Sequence, residues 1–210
     1  MTGHCTGAIL AGGRAVRYGG APKGLEYVGG RRIIDRVADS LGAVCDNLLL
    51  VANDPAASRW LPGTPMASDR LRDVGSVAGI HAALAEAGHG VIVVAWDMPF
   101  VPASLLRLFR ERSAGVDAVV PESGSKRGVE PLCAWYGPAC GPAIERRVAA
   151  GDKRVIAFHD DVRVARIGHA EVARHGDPDV IFMNVNSPEE LGRAERIATA
   201  ADGVGGRSKT

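Results

Sequence analysis

Short apolar runs alternate with amphipathic stretches from one end of the chain to the other. Residues 7–11 form an apolar run that predicts a buried strand, 32–44 carry apolar positions at helical spacing, and 47–52 predict a second strand before the turn-forming pair Asp54-Pro55. Residues 77–87 have helical periodicity with high Ala and Leu content. Residues 90–95, centred on Val91-Ile92-Val93-Val94, are apolar at successive positions, the pattern of a central strand covered on both faces. A helix over 103–112 follows Pro102, strands are predicted over 116–120 and 132–136, and a helix over 141–150 ends at Gly151. A last strand is predicted over 180–185. After it, Ser187-Pro188-Glu189-Glu190 supplies a cap, a first-turn proline and acids for the positive end of a helix running to about Ala201.

Strand and helix in alternation predict an α/β, Rossmann-like fold: an open, mostly parallel sheet with helices on both faces. Such sheets bind ligands beyond the carboxyl ends of their strands, so a functional motif is expected just after a strand. With 210 residues and 46% hydrophobic content, one domain over residues 1–201 is expected, with 202–210 as a disordered tail rich in Gly, Ser and Lys.

Charge narrows the partners. Lys and Arg total 25 against 24 acidic residues, a net charge of +1, so no broad basic field for nucleic acid exists and any anion binding must be local. Cys5, Cys45, Cys133 and Cys140 show neither CxxC spacing nor a neighbouring His cluster, which favours free thiols. Residues 1–6 are polar and no apolar stretch approaches the roughly 20 residues needed to cross a bilayer, so a cytoplasmic protein without membrane contact is expected.

The first strand runs into Leu10-Ala11-Gly12-Gly13-Arg14-Ala15-Val16-Arg17-Tyr18-Gly19-Gly20-Ala21-Pro22-Lys23. Glycines let backbone N–H groups turn toward phosphate, and Arg17 and Lys23 can neutralise phosphoryl oxygens. The run lacks the Walker ending and the dinucleotide fingerprint, and a plain Gly-rich connector with solvated cations is the competing reading. Asp97, after the clearest strand, can anchor a magnesium ion, which takes one or two carboxylates and fills its shell with waters and substrate phosphates; the alternative is a helix cap. Asp69 either contacts a nucleoside or belongs to a solvated charge cluster. Gly75 to Gly79 is a small-residue turn on which a flat base could pack, and Asp73 before it reads as an N-cap or turn acid. Asn184 and Asn186, at alternate positions of the last predicted strand, can ligate metal or substrate oxygens, or serve the turn. Lys153-Arg154 either meets a second substrate's phosphate or is a solvated basic turn.

Together these residues resemble the molybdenum cofactor guanylyltransferase (MobA-like) family of nucleotidyltransferases, from Leu10 to Leu191. The family patterns LAGGxSxRMGxxK, GPLAG, DxP, EPL and NxN(T/S)PEE correspond here to Leu10 through Lys23, Gly75-Ser76-Val77-Ala78-Gly79, Asp97-Met98-Pro99, Glu130-Pro131-Leu132 and Asn184 through Glu190. Ala15, Tyr18 and Ser76-Val77 depart from the patterns. The resemblance implies transfer of GMP from GTP to the phosphate of molybdenum-molybdopterin, with Mg2+ or alternatively Mn2+, and contact with molybdenum-cofactor assembly proteins. It implies triphosphate binding by Leu10 to Gly13 and Lys23, metal binding by Asp97 and guanosine contact by Asp69. A further nucleotide-binding asparagine aligns with Asn53, or its position falls on Val51. The competing readings are a cytidylyltransferase or another small-substrate transferase, against which Gly12-Gly13 weighs, and a non-catalytic nucleotide-binding accessory protein, against which Lys23 and Asp97 weigh.

Overall fold

The computed structural model describes residues 3–12 and 23–205. Its centre is β1 (Cys5–Leu10), flanked on one side by β4 (Asn47–Val51) and on the other by β6 (Gly90–Ala95), all parallel. Leu10 lies level with Val51 in one neighbour and Ala95 in the other, so three strands end in one row. The chain passes to one side of β1 and later to the other, which opens the crevice that parallel sheets use for ligands. β5 (Met66–Ala67) extends the β4 edge. Beyond β6 come β8 (Cys133–Tyr136), β7 (Ala118–Pro121) and β9 (Val164–Ile167), giving seven strands in the order β5-β4-β1-β6-β8-β7-β9.

Side-chain alternation divides the core. Ile9, Ile92 and Val94 pack with Leu41 of α1 (Ile33–Gly42) and with Leu105 and Phe109 of α3 (Ala103–Arg112) on one face. Ala8, Leu10, Val91 and Val93 pack with Ile80 of α2 (Val77–Ala87) and Ile144 of α4 (Cys140–Ala149) on the other. Burial on both faces is why β6 is apolar at every position from Val91 to Ala95. A third cluster joins Val28 and Ile33 to Met183, Val185, Ala194 and Ala198. It seats α7 (Pro188–Gly205) on the small hairpin of β2 (Tyr27–Val28) and β3 (Arg31–Arg32).

Several elements differ from their sequence reading. β8 is antiparallel to both β6 and β7, because the β7–β8 connection contains no crossover helix of the kind a parallel return requires. Residues 180–185 form no strand. Asp177 caps the short α6 (Pro178–Ile181) by accepting from the Asp179 N–H at 3.0 Å, and residues 182–186 then run irregularly. Their apolar side chains are buried by packing rather than by sheet pairing. α7 continues through Gly205, past its expected end near Ala201 and into the expected tail. α5 (His169–Val172) and the two-residue strands are too short for a periodicity to register.

Candidate active site

The ends of β1, β4 and β6 form the floor of a cleft of about 680 Å³. From those ends the chain delivers Ala11-Gly12, Ala52-Asn53 and Trp96-Asp97. The opposite wall is the segment from Asp69 to Gly79, which leads into α2. Leu10, Ala11, Gly12, Asn53, Asp69, Gly75, Gly79, Asp97 and Asn184 all border this one cleft. Gly13 and Arg17, also expected there, lie outside the described residues.

Of the first loop, the residues up to Gly12 are described. The Ala11 N–H is already committed to the Val51 carbonyl at 2.9 Å, and the Leu10 carbonyl accepts from the Trp96 N–H at 3.2 Å. Gly12 is exposed, and among the described residues nothing lies within 4 Å of the position a Cβ would take. Leu10 and Ala11 therefore set the floor, while the expected cradle of amides begins at Gly12.

Lys23 re-enters in a short 3-10 turn, Lys23–Leu25. Gly24 lies flat against the indole of Trp96, where a Cβ would come within 2.8 Å of Cδ2. Trp96 in turn stacks on Trp60 at 5.0 Å. Two aromatic rings thus fix the backbone beside the lysine. Gly24→Ala is expected to lower Tm by roughly 4–8 °C in a thermal melt, on the basis of about 2 kcal/mol for overpacking in a domain of this size.

The Lys23 ammonium donates to Asn186 Oδ1 at 2.6 Å. Asn186 is held in turn by Glu190, whose Oε2 accepts the Asn186 N–H at 2.7 Å, while the Glu190 N–H donates to Ser187 Oγ at 3.2 Å. This is a capping box displaced by one residue, built from the motif Asn184 to Glu190. The Val185 N–H donates to the Asp97 carbonyl at 2.9 Å. The start of α7 therefore ties Lys23 to Asp97. Glu190 was legible in the sequence as a helix-end acid; its bond to Asn186 was not, although the i, i+4 spacing permits it.

Asp97 sits just beyond β6 and does not cap α3, which starts at Ala103 after Pro102 with no side-chain cap. Its Oδ1 is buried and has no hydrogen-bond partner among the described residues. Burial pushes the carboxyl up to about 6; its own backbone N–H and the Lys23 ammonium oppose the shift, and Glu190 adds to it. A buried, unpartnered carboxylate oxygen beside a lysine fits a divalent cation that arrives with its substrate. Asn184 borders the same space, its amide donating to the Phe182 carbonyl at 3.1 Å. Among the described residues no group of three or more His, Cys, Asp or Glu side chains could hold a metal by itself. The donor set suits a divalent cation that keeps waters and phosphate oxygens in its shell.

Asn53 and Asp69 form a reciprocal pair. The Asn53 amide donates to Asp69 Oδ2 at 2.7 Å, and the Asp69 N–H donates to Asn53 Oδ1 at 2.9 Å. The pair joins the end of β4 to the wall that begins at Asp69, and Val51 and Asn53 both line the cleft. Asp73 does not cap α2, which has no side-chain cap; it is instead a non-glycine residue in the left-handed region, φ 57°, two positions before Gly75 at φ 72°. Of the basic pair, Arg154 is engaged by Asp152 at 2.6 and 3.0 Å, whereas Lys153 reaches the Asp73 carbonyl at 3.1 Å.

Residues 7–164 match the MobA-like NTP transferase domain. The chain belongs to this family. It is a nucleotidyltransferase, and relatives cover nearly its whole length. A molybdenum cofactor guanylyltransferase of Desulfosudis oleivorans is 39% identical over 199 residues, covering 93% of this chain and 96% of that one. A probable molybdenum cofactor guanylyltransferase of Pelotomaculum thermopropionicum is 37% identical, with 93% and 94% covered. The crystal structure of molybdopterin-guanine dinucleotide biosynthesis protein A from Archaeoglobus fulgidus superposes with a TM-score of 0.77 at 28% identity, covering 93% of this chain and 99% of that one. No helix among the described residues is long and apolar enough to cross a membrane.

Proposed function

We propose that this nucleotidyltransferase moves GMP from GTP to the terminal phosphate of molybdenum-molybdopterin. An acceptor phosphate oxygen attacks the α-phosphorus, a new P–O bond forms, and the bond to the β-bridging oxygen breaks as pyrophosphate leaves with its electron pair. The observation that carries the reading is Asp97, at the end of β6 with a buried oxygen that has no partner among the described residues, linked to Lys23 through Val185, Asn186 and the start of α7. Relatives with near-complete coverage named for this reaction support it.

The nucleophile is already an anion, so the protein needs no strong base and works by placement and charge neutralisation. Lys23 and the amides from Gly12 onward hold the triphosphate, with Arg17 and Gly13 belonging to the same loop. Asp69, positioned by Asn53, faces the nucleoside, and Gly75 to Gly79 carry the base. Asp97, with Asn184 beside it, would hold Mg2+, or Mn2+ in its place. When bound, the ion neutralises charge developing on the phosphoryl oxygens. Asn186 keeps Lys23 aimed through a neutral amide, so the ammonium's charge is not cancelled before substrate arrives.

In this reading the transferase is one domain over residues 1–201, works in the cytoplasm and receives its acceptor from molybdenum-cofactor assembly proteins. Pyrophosphate release should be measured with Mg2+, molybdopterin and each of GTP, CTP, ATP and UTP. GTP is expected to be preferred. A preference for CTP would make the protein a cytidylyltransferase, and binding of GTP without turnover would make it an accessory protein.

A further inference from the structure

We infer that Asp73 reads the base: its carboxylate accepts the N1–H and 2-amino protons of guanine, and open N–H groups at the start of α2 face O6. The inference rests on the GTP-dependent reading above. Four aspartates border the cleft, Asp54, Asp69, Asp73 and Asp97. Three have other partners or positions. Asp54 Oδ1 accepts from the Ala56 N–H at 2.8 Å, Asp69 Oδ2 is taken by Asn53, and Asp97 is buried at the end of β6 beside Lys23, the phosphate-binding lysine. Asp69 keeps one oxygen uncommitted, enough for a single hydroxyl contact. Asp73 is exposed, and among the described residues neither oxygen of its side chain accepts a hydrogen bond from the protein.

Its backbone marks the position independently. Asp73 is the one non-glycine residue at positive φ among the described residues, and Lys153 pins its carbonyl. A conformation that disfavours a Cβ, held at the wall of a binding cleft, points to a side chain whose placement is functional. The adjoining surface suits a purine. Gly75, Ser76, Ala78 and Gly79 offer little side chain; in the first turn of α2 no side chain caps the N–H groups, and the Gly75 carbonyl takes that of Ala78 at 3.1 Å, leaving those of Val77 and Gly79 without a partner among the described residues. Donors for O6 beside an acceptor pair for N1–H and the 2-amino group match guanine. Adenine would turn its unprotonated N1 toward the carboxylate and its amino group toward the N–H donors. Cytosine has the same mismatch at N3 and N4.

The test compares wild type, Asp73→Asn and Asp73→Gly with GTP, xanthosine triphosphate, ATP and CTP, each with Mg2+ and molybdopterin, by kcat/KM for pyrophosphate release. An asparagine amide donates to the 2-oxo group of xanthine and still accepts N1–H. Asp73→Asn is therefore expected to lose roughly 10- to 100-fold with GTP, as for one bidentate base contact, and to prefer xanthosine triphosphate. Asp73→Gly relieves the backbone, so it should melt no lower than wild type while losing its preference for GTP. An asparagine variant that keeps the wild-type preference for GTP over xanthosine triphosphate, or that loses all four nucleotides equally, would overturn the inference. So would a glycine variant that still selects GTP. If wild type itself does not prefer GTP, the proposed function fails first and the inference falls with it; wild-type GTP use with unchanged variants removes the inference alone.

Discussion

Asp97→Asn is expected to lower kcat/KM for GMP transfer by roughly a thousandfold or more, the scale of several kcal/mol of lost charge stabilisation, while the protein stays folded. The amide keeps the shape of the side chain but not the charge that would hold the cation. Stability should move the other way. The Asp97 carboxyl rises from 3.8 to about 6 on folding, chiefly by burial. The folded protein therefore binds this proton more tightly than the unfolded chain does. Stability is lost as pH rises through that interval, and the penalty, on the order of 2–3 kcal/mol, persists above it. A neutral amide at this position carries no such penalty. Without metal or nucleotide, the variant should melt several degrees above wild type near neutrality, with the gap closing as the pH falls below the interval. A variant that melts below wild type at neutrality would show that the carboxylate is stabilised by something other than an incoming cation.

Lys23→Ala is expected to lower kcat/KM with GTP by roughly 10²- to 10³-fold, the usual cost of removing one donor aimed at developing phosphoryl charge. GTP should also lose most of its ability to raise the melting temperature, because the ground-state triphosphate meets the same ammonium. Lys23→Arg should restore only part of the activity. The compact ammonium fits a single acceptor, Asn186 Oδ1, at 2.6 Å, whereas a planar guanidinium must spread its donors. Steady-state kinetics together with a nucleotide-dependent thermal melt measure both effects. If the alanine variant kept wild-type affinity for GTP, the triphosphate would be bound elsewhere in the cleft.

The elements that frame this site were legible because their residues obey one constraint at a time. Val91 to Ala95 is buried on both faces of a sheet, and a continuous apolar run is the direct consequence. The predicted and observed bounds of α2 coincide, and Gly88 ends the helix in the left-handed conformation. The direction of β8 was not legible, since an apolar run of Cys133 to Tyr136 reads the same for either orientation. Residues 180–185 misled for a related reason. Ile181 and Phe182, buried in the main core, and Met183 and Val185, buried under α7, together resemble a strand, while the signal that won was the Asp177-Pro178 cap.

At the site, the position of Asp97 after a strand was legible because the fold rule names that place, whereas Asn53 came only from the resemblance to the family; both border the cleft. What escaped the sequence depends on contacts across long separations. The Lys23–Asn186 bond spans 163 positions, and the Asp73 carbonyl meets Lys153 across 80. Asp73 also read differently because an aspartate before a helix suggests a cap, whereas α2 has no side-chain cap and Asp73 sits in the left-handed region.

The most direct test follows the two ends of the triphosphate separately. Purified protein is incubated with Mg2+, molybdenum-molybdopterin and GTP labelled either at the α- or at the γ-phosphorus, and the products are separated. The account predicts that the α label appears in the pterin product and the γ label in pyrophosphate, in equal amounts. Transfer of the γ label to the pterin, or α label recovered only as GTP or free GMP, would contradict it.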